Sequence, residues 1–111
     1  MWSLEHFLAN FAPDIVNPGG EEVWCDLQSN LVLIRLKPGT KSELYHHYHT
    51  KEVYTVLYGQ ARFFYGFSNS YLKSGQSISM TPPYCHQVFN ETSEEVFIAG
   101  RVRIPWTVQI L

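Results

Sequence analysis

Several features that assign a protein to a broad class are missing from this sequence. Charged residues make up only 16% of the chain, the net charge is −2, and the lysines and arginines are scattered. This pattern gives no indication of a nucleic-acid surface or of attraction to anionic lipid. No apolar run approaches the length of a membrane span, and the N-terminus lacks the pattern of a signal peptide. We therefore expect no nucleic-acid partner, no membrane partner and a cytoplasmic location.

Cysteine is also scarce. The two cysteines, Cys25 and Cys85, cannot form the disulfide framework that holds many small secreted domains together, and we expect both to be free thiols. Cys85 directly precedes His86, so in a strand these two side chains point to opposite faces. Hydrophobic residues nevertheless make up 45% of the 111 residues, which favours a folded chain with the core of one domain.

The apolar pattern predicts one short helix followed by strands. Apolar residues recur at helical spacing from Leu4 to Phe11, Ser3 can cap the helix, and Pro13 ends it. From Val23 onward, runs of β-branched and aromatic residues alternate with turn residues, which is typical of an all-β sandwich or barrel. Strands are predicted at 23–25, 31–37, 44–49, 53–58, 61–65, 78–80, 85–89, 96–104 and 106–110, with a turn over 66–70.

The segment from His46 to Glu52 concentrates residues that bind metals. Alternate side chains of a strand point to the same face, so His47 and His49 can direct their imidazoles to a common point, while His46 takes the other face. Glu52 adds an oxygen if the chain turns slightly, and His86, much later in the sequence, is a fourth candidate. Imidazoles and a carboxylate suit Zn, Mn, Fe or Ni. We therefore expect a mononuclear site for one divalent transition metal inside a small barrel.

Two stretches of the chain resemble the conserved motifs of the cupins. The first contains Pro38-Gly39, His47-Tyr48-His49, Glu52 and Gly59. The second contains Gly75, Thr81, Pro83, His86 and Asn90. The resemblance implies an all-β double-stranded β-helix, or jelly-roll barrel, with a short N-terminal helix and a metal between the two motifs. It implies one cupin domain over 1–111, with the helical segment at 1–16 and the barrel at 21–111.

The spacing of the first motif points to one subgroup of cupins. Only two residues separate His49 from Glu52, fewer than in most cupins, and this His-x-His-x-x-Glu spacing is similar to the cupin domain of type II phosphomannose isomerases. The subgroup has Arg-Pro-Trp-Gly where this chain has Asn17-Pro18-Gly19-Gly20, and it has polar residues where this chain has Leu44 and Tyr45. The resemblance therefore extends to the metal ligands, while much of the sugar-phosphate contact surface differs.

The predicted ligand set leaves the function open between two classes. Three histidines and one glutamate leave positions free on a six-coordinate metal, as in catalytic or ligand-binding sites. In one hypothesis the protein is a metalloenzyme, with Glu52 as a proton carrier, that isomerises a sugar-phosphate-like compound or activates dioxygen. In the other it is a non-catalytic module that binds a small sugar-like or carboxylate ligand. A purely structural barrel is a third hypothesis, and no second acid or base can be assigned to the cavity from the sequence.

Arginines and aromatic residues supply further candidate contacts. The arginines at positions 35, 62, 101 and 103 can each hold a carboxylate or phosphate, although a surface ion pair is the simpler interpretation for each. Arg35 interrupts an apolar strand and so needs a partner or solvent. The aromatic residues between 63 and 84 are expected mainly in core and hairpin packing. Edge strands and the resemblance to small cupins favour a homodimer, so the expected partners are a second copy and a small-molecule ligand.

Overall fold

A computed structural model describes residues 3–26, 28–47, 51–82, 84–102 and 108–110 of the chain. One short helix is followed by strands that pair into two antiparallel sheets. The elements are α1 (Leu4–Asn10), β1 (Ile15–Val16), β2 (Glu22–Asp26), β3 (Leu31–Leu36), β4 (Tyr45–His47), β5 (Glu52–Tyr58), β6 (Gln60–Tyr65), β7 (Ser68–Lys73), β8 (Ser77–Met80), β9 (Cys85–Phe89), β10 (Val96–Arg101) and β11 (Val108–Ile110).

The two sheets are formed by strands that are distant in sequence. The six-stranded sheet has the order β1-β2-β3-β10-β5-β8, and the five-stranded sheet has the order β11-β4-β9-β6-β7. Pairings such as β3 with β10 and β4 with β9 join the first half of the chain to the second, as in a jelly roll. The predicted all-β architecture with a short N-terminal helix is confirmed.

The core lies between the sheets and is produced by strand alternation. In β5, Glu52, Tyr54 and Val56 are buried, whereas the residues between them are partly exposed. The same alternation in β3, β6 and β9 turns one face of each strand inward. The apolar core consists of Val23, Val32, Ile34, Leu36, Tyr54, Val56, Ala61, Phe63, Met80, Val88, Val96, Ile98 and Val102.

The helix α1 lies outside this core. The side chain of Ser3 accepts a hydrogen bond from the backbone N–H of His6 at 3.1 Å, as predicted for the N-cap. The ring of Phe7 stacks on Phe11 and meets the edge of Trp24, whose indole N–H donates to the Phe11 carbonyl at 3.0 Å. The helix therefore covers the outward-facing Trp24 of β2. Across the part of the chain described, the structure contains no helix long and apolar enough to cross a membrane.

Two strands differ from the sequence prediction. β1 was not predicted, and the predicted turn over 66–70 is shorter, because β7 already begins at Ser68. The serines and asparagine of β7 have low strand propensity, but the strand pairs with β6 in an unbroken register from Gln60↔Lys73 to Tyr65↔Ser68. Among the aromatic residues expected in core and hairpin packing, Phe67 is 94% exposed at the tip of this hairpin. Pairing with a neighbour, which local sequence does not reveal, determines β7.

Gly59, between β5 and β6, offers a test of the packing at the end of the sheets. Its φ is +84°, and a Cβ there would lie 2.5 Å from the carbonyl oxygen of Glu95. Gly75 has a similar φ of +88° but nothing within 4 Å, so it serves as the matched control. We expect Gly75→Ala to lower the free energy of unfolding by about 1 kcal/mol, from the backbone conformation alone. Gly59→Ala should cost about 1–3 kcal/mol more, because the added methyl overlaps the backbone.

Urea unfolding of both variants measures this difference through their midpoints and slopes. Equal losses at the two glycines would show that the close approach of Glu95 is not a constraint on the fold.

Candidate metal centre

Two of the predicted metal ligands, Glu52 and His86, lie in the interior on facing sheets. Glu52 begins β5 of the six-stranded sheet, and His86 is the second residue of β9 in the five-stranded sheet. Their exposed fractions are 1% and 2%. Each has the inward parity of its strand, so a carboxylate and an imidazole are brought into the same buried layer.

Tyr54 links the two side chains across the core. Its hydroxyl donates a hydrogen bond to Oε1 of Glu52 at 2.7 Å, and its ring centroid lies 5.6 Å from that of His86. Burial raises the pKa of the Tyr54 hydroxyl well above its usual value, and the charge of Glu52 raises it further. The hydroxyl is therefore a proton donor throughout the neutral range, and it holds one oxygen of Glu52 in a fixed direction.

The ring of Tyr54 has room in the core because residue 100 is a glycine. Gly100 of β10 is paired with Tyr54 across the sheet. A Cβ at Gly100 would lie 2.6 Å from Cε1 of Tyr54 and 2.8 Å from Cγ2 of Val32. The lack of a side chain at Gly100 thus leaves the space that the ring of Tyr54 occupies.

A second buried acid, Glu21, is linked to His86 through Tyr45. The ring of Tyr45, which is paired with His86 across the sheet, lies 5.3 Å from the imidazole. The Tyr45 hydroxyl donates to Oε1 of Glu21 at 2.6 Å, and the amide of Asn17 donates to the same oxygen at 2.7 Å. Burial raises the pKa of Glu21, and these hydrogen bonds oppose that rise.

Sequence reasoning did not identify Glu21. The available signal was the pair Glu21-Glu22 at the start of a predicted strand, where alternation sends one carboxylate inward and one outward. Which one turns inward depends on the register of β2 with β3, where Glu22 is opposite Arg35.

For the other two predicted ligands, the structure describes only the backbone of His47. His47 is a backbone position in β4, two residues beyond Tyr45 and paired with Val108 of β11. His49 lies outside the described residues. Among the side chains that the structure describes, no group of three or more His, Cys, Asp or Glu residues is arranged to hold a metal ion. The complete ligand set therefore stays a prediction.

The side chains of Glu52 and His86 are chemically suited to binding a metal. Imidazole nitrogen and carboxylate oxygen suit divalent transition metals. Carboxylates that bind metals are usually hydrogen-bonded by a neighbouring group, and Tyr54 supplies such a bond to Glu52.

Two of the arginines considered as ligand contacts, Arg35 and Arg62, are held in ion pairs. Arg35 makes two hydrogen bonds of 2.9 Å to the carboxylate of Glu22. Arg62 bonds both carboxylate oxygens of Glu91, at 2.8 and 3.0 Å. For these two residues the ion-pair interpretation is confirmed; Arg101 is exposed, and residue 103 lies outside the described residues.

The cysteines agree with the prediction from alternation. Cys25 and Cys85 are both free and partly buried, whereas His86, next to Cys85, is fully buried. The two neighbouring side chains therefore point to opposite faces of β9.

Comparisons with known proteins identify the fold. No family model matches the sequence. No curated protein matches it either. A conserved protein with a double-stranded β-helix domain from Klebsiella pneumoniae aligns with 90% of this chain and 85% of its own, at 20% identity and a TM-score of 0.68. The cupin domain of CENP-C from Drosophila melanogaster aligns over 76% and 70% of the two chains, at 14% identity and a TM-score of 0.65.

An enzyme is also among the similar structures. An oxalate decarboxylase with Mn(II) centres from Bacillus subtilis aligns with 94% of this chain, at 21% identity and a TM-score of 0.77, over 31% of its own length. Together these likenesses show that the chain has the double-stranded β-helix fold of the cupins. The finer resemblance to type II phosphomannose isomerases stays a prediction.

Removal of the Tyr54 hydroxyl tests whether its hydrogen bond stabilises the buried carboxylate of Glu52. We expect Tyr54→Phe to lower the free energy of unfolding by about 1–3 kcal/mol, because the buried carboxylate of Glu52 loses a donor. Tyr65→Phe is the matched control, since the Tyr65 hydroxyl bonds Thr81 at an exposed position. Urea unfolding at neutral pH measures both. The role assigned to Tyr54 is contradicted if the two variants lose the same stability.

The ion pair of Glu22 and Arg35 has a definite pH dependence. The hydrogen bonds from Arg35 hold the pKa of Glu22 below its ordinary value of 4.5. A depressed pKa in the folded state stabilises the protein above pH 4.5, and this stabilisation is lost as the pH falls through the folded-state pKa. We expect the free energy of unfolding of the wild type to exceed that of Glu22→Gln by about 1 kcal/mol at neutral pH. The difference should shrink in acid.

Urea titrations from neutral to acid pH measure this difference. Glu91→Gln, which removes the more exposed partner of Arg62, is the control and should show a smaller change. A stability gap for Glu22→Gln that stays constant with pH would contradict the assignment.

Proposed function

We propose that this protein holds one divalent transition metal and binds a small carboxylate or sugar-like molecule at the open positions of that metal. The proposed ligands are His47, His49, Glu52 and His86. The observation that carries the proposal is that Glu52 and His86, from opposite sheets, both contact buried Tyr54, whose hydroxyl bonds Glu52 and whose ring lies 5.6 Å from the imidazole. A carboxylate and an imidazole in one apolar layer are the beginning of a metal-binding cage.

Strand alternation supports the two remaining ligands. Tyr45 of β4 lies in the interior beside His86. Positions 47 and 49 share its parity in the sequence, so strand alternation predicts that both belong to the same face as Tyr45. The Mn(II) centres of the B. subtilis oxalate decarboxylase support a divalent metal in this fold, and its substrate supports a small carboxylate as the ligand class.

The chemistry divides between the metal and the residues of the chain. When bound, the metal supplies Lewis-acid polarisation of an oxygen ligand. Glu52 is the candidate proton carrier, and Tyr54 orients it through one oxygen. Tyr45 and Tyr54, whose rings contact His86, are themselves buried.

One observation weighs against a sugar-phosphate enzyme. A sugar-phosphate enzyme needs a cationic contact for the phosphate. Arg35 and Arg62, two of the candidates for that contact, are bound to Glu22 and Glu91 instead. Among the enzyme hypotheses, this weakens the sugar-phosphate isomerase relative to reactions of a small carboxylate or of dioxygen.

Metal analysis and thermal unfolding test the proposal. We expect the purified protein to contain stoichiometric metal, and Mn²⁺ or Co²⁺ added at about 100 times Kd to stabilise the metal-free protein by about 2.7 kcal/mol. Affinity should fall in acid, because protonation of the imidazoles competes with the metal. His86→Ala and Glu52→Gln should abolish or strongly weaken the effect. The control His6→Ala removes an exposed histidine of α1 and should leave it unchanged.

Two results would overturn the metal site: a wild type that contains no metal and takes up none, or a His86→Ala variant that binds like the wild type. Turnover assays then separate the enzyme from the binder. The metal-loaded protein is tested for loss of small carboxylates, for oxygen uptake, and for interconversion of aldose and ketose phosphates. Ligand binding without any turnover identifies the binding module.

A further inference from the structure

Glu21 is a buried carboxylate that the proposed ligand set does not use. It immediately precedes β2, where Glu22 faces outward to Arg35 while Glu21 is only 1% exposed. Burying a carboxylate is costly unless hydrogen-bond donors surround it. The hydroxyl of Tyr45, the amide of Asn17 and the backbone N–H of Glu43 supply those donors.

We infer that Glu21 is a positioning residue of the metal centre, which acts through Tyr45 to fix the orientation of the His86 ring. This inference rests on the proposed function, because it assigns Glu21 a role towards a proposed metal ligand.

The first step of the argument is the fixing of Tyr45 by Glu21. The 2.6 Å hydrogen bond from the Tyr45 hydroxyl holds the far end of that side chain, and Asn17 bonds both Glu21 and the Tyr45 oxygen. The three groups form a closed triangle. The hydroxyl of Tyr45 therefore has a defined position, and its ring has a defined tilt.

The second step is the contact between Tyr45 and His86. The two rings are tilted by 31° with their centroids 5.3 Å apart. The ring of Tyr54, from the facing sheet, lies 5.6 Å from the imidazole at a tilt of 46°. His86 thus contacts two tyrosine rings, and each tyrosine hydroxyl donates to a buried carboxylate, Glu21 or Glu52.

This arrangement matters because a metal ligand must be held within narrow limits of direction. A site that is loose by a fraction of an ångström loses affinity, and groups behind the ligands supply the restraint. Glu52 restrains the centre as a proposed ligand, whereas Glu21 restrains it from behind. The negative charge of Glu21 also raises the pKa of Tyr54, which is consistent with its closeness to the centre.

Co²⁺ binding to the intact protein tests the inference. We expect Tyr45→Phe and Glu21→Gln to weaken Co²⁺ affinity by about tenfold, the lower end of the range for groups behind metal ligands, and to shift the d–d absorption bands. Asn17→Ala is a milder variant that keeps both the carboxylate and the hydroxyl and should shift both readouts in the same direction.

Asn90→Ala is the matched control. Asn90 is a buried polar residue whose amide donates to the carbonyls of Leu36 and Glu94. The Asn90→Ala substitution should lower the free energy of unfolding while leaving the Co²⁺ affinity and spectrum of the folded protein unchanged. Weakening by the control equal to that by Glu21→Gln would overturn the inference, since loss of stability alone would then explain both.

A measurement without metal separates this inference from the proposed function. The ring protons of His86 in the metal-free protein report the orientation of the neighbouring aromatic rings through their NMR chemical shifts. We expect Tyr45→Phe, which keeps the ring but frees its far end, and Asn17→Ala to move these resonances, and Asn90→Ala to leave them in place. Unchanged resonances in both variants would overturn the role of Glu21 even if Co²⁺ binds. Moved resonances with no Co²⁺ binding would support the restraint of the His86 ring through Tyr45, but would reject the metal site and with it the role of Glu21 in metal binding.

Discussion

The interior of this protein depends on a single buried tyrosine that belongs to both its apolar and its polar structure. The ring of Tyr54 packs against Phe63 and His86 of the facing sheet, while its hydroxyl bonds Glu52 of its own strand. An apolar ring holds the sheets together, and the polar end satisfies a carboxylate that would otherwise be costly to bury. One side chain therefore both packs the core and orients the carboxylate of Glu52.

Two adjacent glutamates show how position decides the character of a carboxylate. Glu22 faces outward, its pKa is lowered by Arg35, and it remains charged over most of the pH range. Glu21 faces inward and its pKa is raised by burial, with hydroxyl and amide donors in place of a cation. The outward carboxylate is thus paired with a cation, whereas the buried carboxylate is hydrogen-bonded by neutral donors.

The sequence predicted what depends on alternation and spacing, and it missed what depends on pairing. In a strand, Tyr54 and Val56 share the face of Glu52, and all three are buried in the structure. The spacing of the two motifs was sufficient to indicate the cupin fold. The inward direction of Glu21 depends on how β2 pairs with β3, and β7 exists through its register with β6. Neither register is visible in a local pattern. The need for Gly100 is likewise apparent only once Tyr54 lies opposite it.

The buried polar side chains around Tyr45 and Tyr54 come from segments that are distant in sequence. The bond from Tyr45 to Glu21 spans 24 residues, and the ring of Tyr54 fits only over Gly100 of β10. Closing loops of this length costs chain entropy, so these contacts are paid for by the whole fold and not by one local segment. A chain that ends before β10 lacks the strand over which the ring of Tyr54 packs.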